Sequence, residues 1–470
     1  MNKDLSIQTP PRGWAILAVL GPGIVWTSEL VGSGEVILTT RNGAILGTVI
    51  LWAILIGIFL KCWIGISGAH YTVCTGEAMI DMFARIPGPK NWVVWTVMVI
   101  QFFSALISIG SLALAAGIFL HSLIPVPPHV AGWLISIVAM IAVWSGEFKI
   151  LKTIMTSLIL LMCIGVIYVA AVVFPPISDL FKGLLFIVPD VPGWATQNAG
   201  VSVNPWNEIL PLIGWAAGGF ASQVWYTYWV LGEGYGMARG RGYGKPADVE
   251  RLKSLNQEDA VKIKGWTRVV YADASVAVFL TTLLTVCFLI AGAGVLRPQE
   301  LAPNGADVAV TLSNIFTSQW GRFGGLLFMI SGTAALAGTL MVQLAGWPRL
   351  LADTTRICIP KFGELIPWKT QFRLFLIFFF FTNMVIVFVF GFKPSYWSRP
   401  APCWTVCFSR PCRPSGWPWA CISSCRKCSP TRSIESSNPT GSLHSFWELR
   451  SWYSVTSSFS RSPIFCKSLD

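Results

Sequence analysis

Two carboxylates and two glycines fall inside one hydrophobic stretch, in the run Ser28-Glu29-Leu30-Val31-Gly32-Ser33-Gly34-Glu35. A carboxylate at membrane depth costs roughly 2.5 to 3.5 kcal/mol even on the lenient insertion scale, so a pair of them needs a reason to be there. Gly32 and Gly34 each weaken a helix by about 1 kcal/mol. An unwound turn at that point frees backbone carbonyls and aims half-helix ends at a buried ligand. In lipid, such irregular backbone survives only where protein encloses it or where it lines a cavity. Close packing through small residues would account for the glycines, but packing does not require acids.

A second interruption reads Gly214-Trp-Ala-Ala-Gly-Gly-Phe-Ala-Ser-Gln-Val-Trp-Tyr-Thr-Tyr-Trp, with paired glycines followed by Ser222 and Gln223. For Gly218 and Gly219 alone, a small-residue packing interface is an equal alternative.

The elements that must position these residues follow from composition. The chain is 54% hydrophobic and 12% charged, with a mean hydropathy of +0.61. Soluble domains carry about a quarter charged residues, so this is a polytopic all-α membrane protein. Apolar runs of about 20 residues, the length that crosses the hydrocarbon core, occur near 13–39 (broken), 43–65, 91–120, 130–146, 150–174, 206–232 (broken), 267–294, 321–346 and 371–392. With the N-terminus cytoplasmic, twenty Lys and Arg before position 396 fall on the inner side and five on the outer. That asymmetry predicts an N-in orientation in a plasma (inner) membrane. The polar segment before residue 13 predicts no removable signal peptide.

The net charge of +12 reads as cytoplasmic loops facing a lipid bilayer, and no nucleic-acid partner is called for. The loop at Arg239-Gly-Arg-Gly-Tyr-Gly-Lys245 lacks the preceding strand that a phosphate-cradling loop requires. Cys62, Cys74, Cys163, Cys287 and Cys358 are spaced for neither zinc nor disulfide pairing and read as packing residues. No His-Glu-x-x-His or Gly-x-Ser-x-Gly elbow occurs in the spans, so no enzyme and no cofactor is expected.

The two interrupted spans, the first and the sixth, are five helices apart. Two such units entering from opposite sides form the plan of inverted-repeat transporters, with a midplane site between two discontinuous helices. Here the repeats would be 12–174 and 205–395, within a domain of residues 1–396.

Gly21-Pro22-Gly23 followed by a broken first helix resembles the opening of the Nramp divalent-metal transporters, and the layout up to about Pro394 is similar to theirs. The resemblance implies the LeuT-type inverted-repeat fold with discontinuous helices 1 and 6. It also implies secondary transport of a divalent metal ion of the manganese, iron or magnesium class by alternating access. Counting from the shared Gly-Pro-Gly places Gly32-Ser33-Gly34-Glu35 on the family's metal-binding Asp-Pro-Gly-Asn. Gly32 then stands where the ligating aspartate would be and Glu35 where the asparagine would be, and Glu29, one turn earlier, can restore the charge. In helix six, Ala221-Ser222-Gln223-Val224 occupies the place of Met-Pro-His and offers no thioether there. Oxygen ligands suit harder cations, which makes magnesium, or manganese held by different ligands, the expected cargo.

The expected metal set is therefore Glu29, Gly32, Glu35, Gly219, Ser222, Gln223 and Gln343, the last in the eighth span. The third span lacks the acids that the family places on a proton route. If protons are a further partner, His70, Glu77 and Asp273 are the candidate relays, although His70 and Glu77 read more readily as loop or helix-end residues, and Asp273 reads equally as an ion-pair partner of Arg268 or another nearby base. Two alternatives stay open: a carrier of an amino acid or other small organic solute in the same fold, and a non-transporting membrane receptor.

Beyond Tyr396 the character changes. Residues 397–470 hold 18 Ser, 8 Pro and 7 Cys and no long apolar run, where the repeat plan calls for a tenth helix. The expectation is that the reading frame is lost near position 396, leaving a C-terminally truncated repeat. A cysteine-rich metal tail using Cys421, Cys425, Cys428 and His444 is the competing reading.

Overall fold

Every regular element of the described residues is helical. The computed structural model describes residues 6–198, 200–302 and 307–391; the tail, and both readings of it, lie outside these. The principal helices are α1 (Pro22–Leu30), α2 (Thr40–Leu46), α3 (Leu51–Thr75), α4 (Trp92–His121), α5 (Pro128–Val143) and α6 (Phe148–Val172). They continue as α7 (Trp206–Trp215), α8 (Phe220–Glu233), α9 (Gln257–Ala291), α10 (Asp307–Cys358) and α11 (Trp368–Gly391).

The first span is broken twice. A 3₁₀ turn at Gly13–Val19 meets α1 at 59°, where Pro22 occupies the first turn of α1 and needs no N–H partner. The chain then loses its helix after Leu30 and resumes through a π-helical turn, Gly34–Thr39, into α2. The sixth span is split into α7 and α8, as its paired glycines predict. Six helical stretches of the described residues are long and apolar enough to cross a membrane, and the bent pair around Leu20 makes a seventh. The 16-residue α5 and the split α7–α8 pair account for the remainder of the nine expected spans. Large apolar side chains on the outer faces, among them Phe103, Ile141, Leu160 and Phe381, are exposed, as lipid contact requires. The protein is an integral multi-pass membrane protein.

Two boundaries differ from the sequence expectation. The second span was expected at 43–65, but Gly47 has φ +73° and ψ −165°, a conformation open to glycine and few other residues. The chain turns there and α3 runs on to Thr75. Hydropathy does not register the turn because apolar residues continue through it. The shift moves Lys61 from the cytoplasmic end of a helix to the middle of one. At the seventh span, Asn256 and Asp259 form a reciprocal capping box that starts α9 ten residues before the expected boundary, fusing the polar loop helix to the membrane helix. α1 packs against α6, α8, α9 and α10 together, which places the first break at the centre of the bundle.

Candidate functional site

The two breaks expose backbone groups that must find partners, because an unpaired buried N–H or C=O costs about 1–3 kcal/mol. At the first break, Glu35 Oε2 accepts a hydrogen bond from the Gly32 N–H at 2.9 Å. Its other oxygen, Oε1, accepts from the Ala217 N–H in the second break at 3.0 Å. One carboxylate therefore joins the two breaks. At the second, Ala217 (φ +58°) and Gly218 (φ +65°) are consecutive left-handed residues; glycine adopts this freely, whereas for alanine it costs roughly 1–2 kcal/mol. The carbonyls of Gly214 and Gly218 each accept from Lys61 Nζ at 3.0 Å. A cation thus sits at the C-terminal end of half-helix α7, where the helix dipole favours it. Gln223 Nε2 donates to the Ala217 carbonyl at 2.9 Å.

Glu29 has different surroundings. Its Oε1 accepts from Ser222 Oγ at 3.0 Å and from Gln343 Nε2 at 3.4 Å, so α1, α8 and α10 converge on it. Its Oε2 is buried without a hydrogen-bond partner, and so is Gln223 Oε1. Buried polar atoms are nearly always paired, and both of these are acceptor oxygens. Gln343 Oε1 in turn accepts from Ser108 Oγ of α4 at 3.0 Å. Thr339 Oγ1 of α10 lies within hydrogen-bond distance of the Ser28 and Val31 carbonyls, at 2.9 and 3.3 Å, pinning the unwound end of α1. Ser28 Oγ donates to Met155 Sδ of α6 at 3.3 Å. A thioether does stand beside the first break, then, but it comes from the fifth span rather than the sixth.

The structure gathers Glu29, Ser222 and Gln343 around one carboxylate and links Gly32 to Glu35. Gly219 faces open space at the start of α8. Three neighbouring carbonyls of the sixth break are engaged: Lys61 donates to those of Gly214 and Gly218, and Gln223 to that of Ala217. Among the described residues no three His, Cys, Asp or Glu side chains cluster, so any cation held here would rest on two carboxylates and neutral oxygens. Sequence reasoning missed Lys61, Ser108, Met155 and Thr339. Lys61 carried a signal, since an ionisable residue within an apolar run marks a site by default; the other three carried none.

The three relay candidates have other partners. Asp273 does not pair with Arg268; Oδ1 accepts from the Gly21 N–H at 3.1 Å, and Oδ2 from the Gly23 N–H at 2.6 Å and the Tyr226 hydroxyl at 2.9 Å. It caps the start of α1, with the Gly-Pro-Gly turn supplying the donors. Because an amide would turn an N–H toward one of these donors, Asp273→Asn is expected to lower stability by about 1–3 kcal/mol, read as a fall in the apparent Tm of the detergent-solubilised protein. Glu77, just past α3, is buried and bound by Arg85, Tyr71 and the Ala247 N–H. Burial works to raise its carboxyl, but the hydrogen bonds outweigh that and hold it below the usual carboxylate range. His70 Nδ1 lies 2.5 Å from the Tyr271 hydroxyl. None of the three hydrogen-bonds to Glu29 or Ser222.

Residues 23–211 match the family model described as natural resistance-associated macrophage protein-like, Nramp. Over these residues the chain resembles the Nramp family. The matched residues include Glu29, Gly32 and Glu35. An uncharacterized protein of Pasteurella multocida is 22% identical over 368 residues, covering 76% of this chain and 75% of that one. The metal transporter Nramp6.2 of Populus trichocarpa is 28% identical over 216 residues, 44% of this chain and 38% of the poplar protein. A crystal structure of a variant of the Eremococcus coleocola manganese transporter superposes with a TM-score of 0.58 at 15% identity, covering 84% of this chain and 76% of that one. The likeness establishes the LeuT-type fold.

Proposed function

We propose that this Nramp-related chain carries a divalent metal ion across the plasma (inner) membrane by alternating access between two repeats, 12–174 and 205–395, with its N-terminus cytoplasmic. The observation that carries the reading is the unpartnered Glu29 Oε2 at the first break. A buried carboxylate oxygen lacking a donor is stable when a cation supplies the missing interaction. Ser222, Gln343 and the Gln223 side-chain oxygen offer neutral ligands around it, and Glu35 contributes a second negative charge while holding the two breaks in register. Gly32 and Gly219 contribute backbone freedom and, where a lone pair remains, a carbonyl. The names of the poplar and Eremococcus proteins support a metal as cargo. The oxygen donors admit magnesium, and the Met155 thioether keeps manganese and iron in range.

The test is uptake into sealed liposomes holding the purified chain, with manganese and magnesium assayed separately. Uptake of at least one metal is expected. Uptake of neither, with accumulation of an amino acid instead, overturns the metal reading, and binding without crossing makes the protein a receptor.

A further inference from the structure

A groove on the lipid-facing side of the bundle lies between α3 and α9, and none of its lining residues belongs to the two breaks. Its wider part, about 660 Å³, is lined by Trp63, Ile66, His70, Tyr71, Tyr271 and Ser275. A narrower part of about 400 Å³ continues between the same helices, against Leu55, Phe59, Val278 and Thr282. The lining changes along its length, with hydroxyl and imidazole groups at the loop end and aliphatic and phenyl groups at the other.

The polar end carries charge. On α9, Lys264, Arg268, Tyr271 and Ser275 are all exposed, and their spacing of four, three and four residues puts them on one helix face. Neither Lys264 nor Arg268 forms an ion pair with another described residue, whereas nearby Lys262 is held by Glu258 at 2.7 Å. Two cations without an ion pair to another described residue therefore share a helix face with Tyr271 and Ser275 of a groove whose lining becomes apolar.

The dimensions suit one occupant. At 1.5 Å per residue, Tyr271 to Thr282 spans about 16 Å, close to the roughly 15 Å of hydrocarbon in a single leaflet. Lys264 lies about 10 Å further toward the loop, within reach of the headgroup layer. Aromatic and hydroxyl side chains at Tyr71, Tyr271 and His70 occupy the interfacial level, where such amphipathic groups settle.

We infer that the α3–α9 groove is a binding site for an anionic phospholipid, with its phosphate on Lys264 and Arg268 and one acyl chain lying along Phe59 and Val278 toward Thr282. The assignment stands apart from the transported cargo, since no residue of the two breaks lines the groove.

Native mass spectrometry of the full chain, reconstituted in nanodiscs of phosphatidylglycerol mixed with phosphatidylcholine, tests it. Phosphatidylglycerol is expected to remain bound about ten times more than phosphatidylcholine after the bulk lipid is stripped. The Lys264→Ala/Arg268→Ala double variant, altered only at exposed positions, is expected to lose that preference. Ser275→Trp, which fills the groove without touching the charges, is expected to reduce retention of both lipids. Equal retention of the two lipids by the unaltered chain overturns the inference, as does undiminished phosphatidylglycerol retention by either variant.

Discussion

Glu29→Gln is expected to weaken divalent-metal binding by about 100-fold, equivalent to about 2.7 kcal/mol, and at the same time to make the metal-free protein more stable. Both signs come from the same atom. Glu29 Oε2 is buried and unpartnered, while Oε1 accepts from Ser222 and Gln343. The amide keeps the size of the side chain and an oxygen for Ser222, so the local geometry has what it needs to persist. Removing the charge takes away the strongest cation ligand and also the desolvation penalty of an uncompensated buried carboxylate. Titration calorimetry with manganese reads the first effect, and an apparent Tm measured without metal reads the second. Unchanged affinity would remove Glu29 from the site; lost affinity with a lowered metal-free Tm would show that it acts as a structural support.

That division of labour between two acids was only half legible in the sequence. Glycines and carboxylates interrupting an apolar run revealed the first break, and the paired glycines five spans later revealed the second. Both are local signals of residue type against the bilayer. The roles of Glu29 and Glu35 were beyond such signals. Glu35 holds the Ala217 N–H, 182 positions away, and Glu29 meets Gln343 across 314 positions. Counting from Gly-Pro-Gly put Glu35 in the expected ligand set beside Glu29; in the fold Glu35 ties the two breaks together and Glu29 carries the unpartnered oxygen. Lys61 was misplaced for a related reason. The turn at Gly47 is a backbone event in an unbroken apolar run, so hydropathy set α3 too early and put Lys61, a half-buried lysine that caps α7, near the end of the helix rather than in its middle. Asp273 was recognisable as a buried acid, but its partners are backbone amides, and no pattern of side-chain types announces those.

Glu35→Ala is expected to act in the opposite direction on stability. Truncation strands the Gly32 and Ala217 N–H groups, each buried, and at about 1–3 kcal/mol per unsatisfied group the loss comes to roughly 2–6 kcal/mol. It also leaves the Lys61 ammonium, which holds the Gly214 and Gly218 carbonyls, without its nearby negative charge. Glu35→Gln should be intermediate, because its single carbonyl oxygen can serve one of the two amides while its NH₂ opposes the other. The metal-free apparent Tm should therefore fall in the order wild type, Glu35→Gln, Glu35→Ala, against a rise for Glu29→Gln. A Glu35→Ala protein as stable as wild type would mean that the two breaks are held by Lys61, Thr339 and Gln223 alone. The four proteins together separate a carboxylate that meets the ion from one that holds the half-helices open to receive it. Binding data alone cannot make that distinction, since metal affinity falls in both cases, by loss of a ligand in one and by loss of the geometry that presents it in the other.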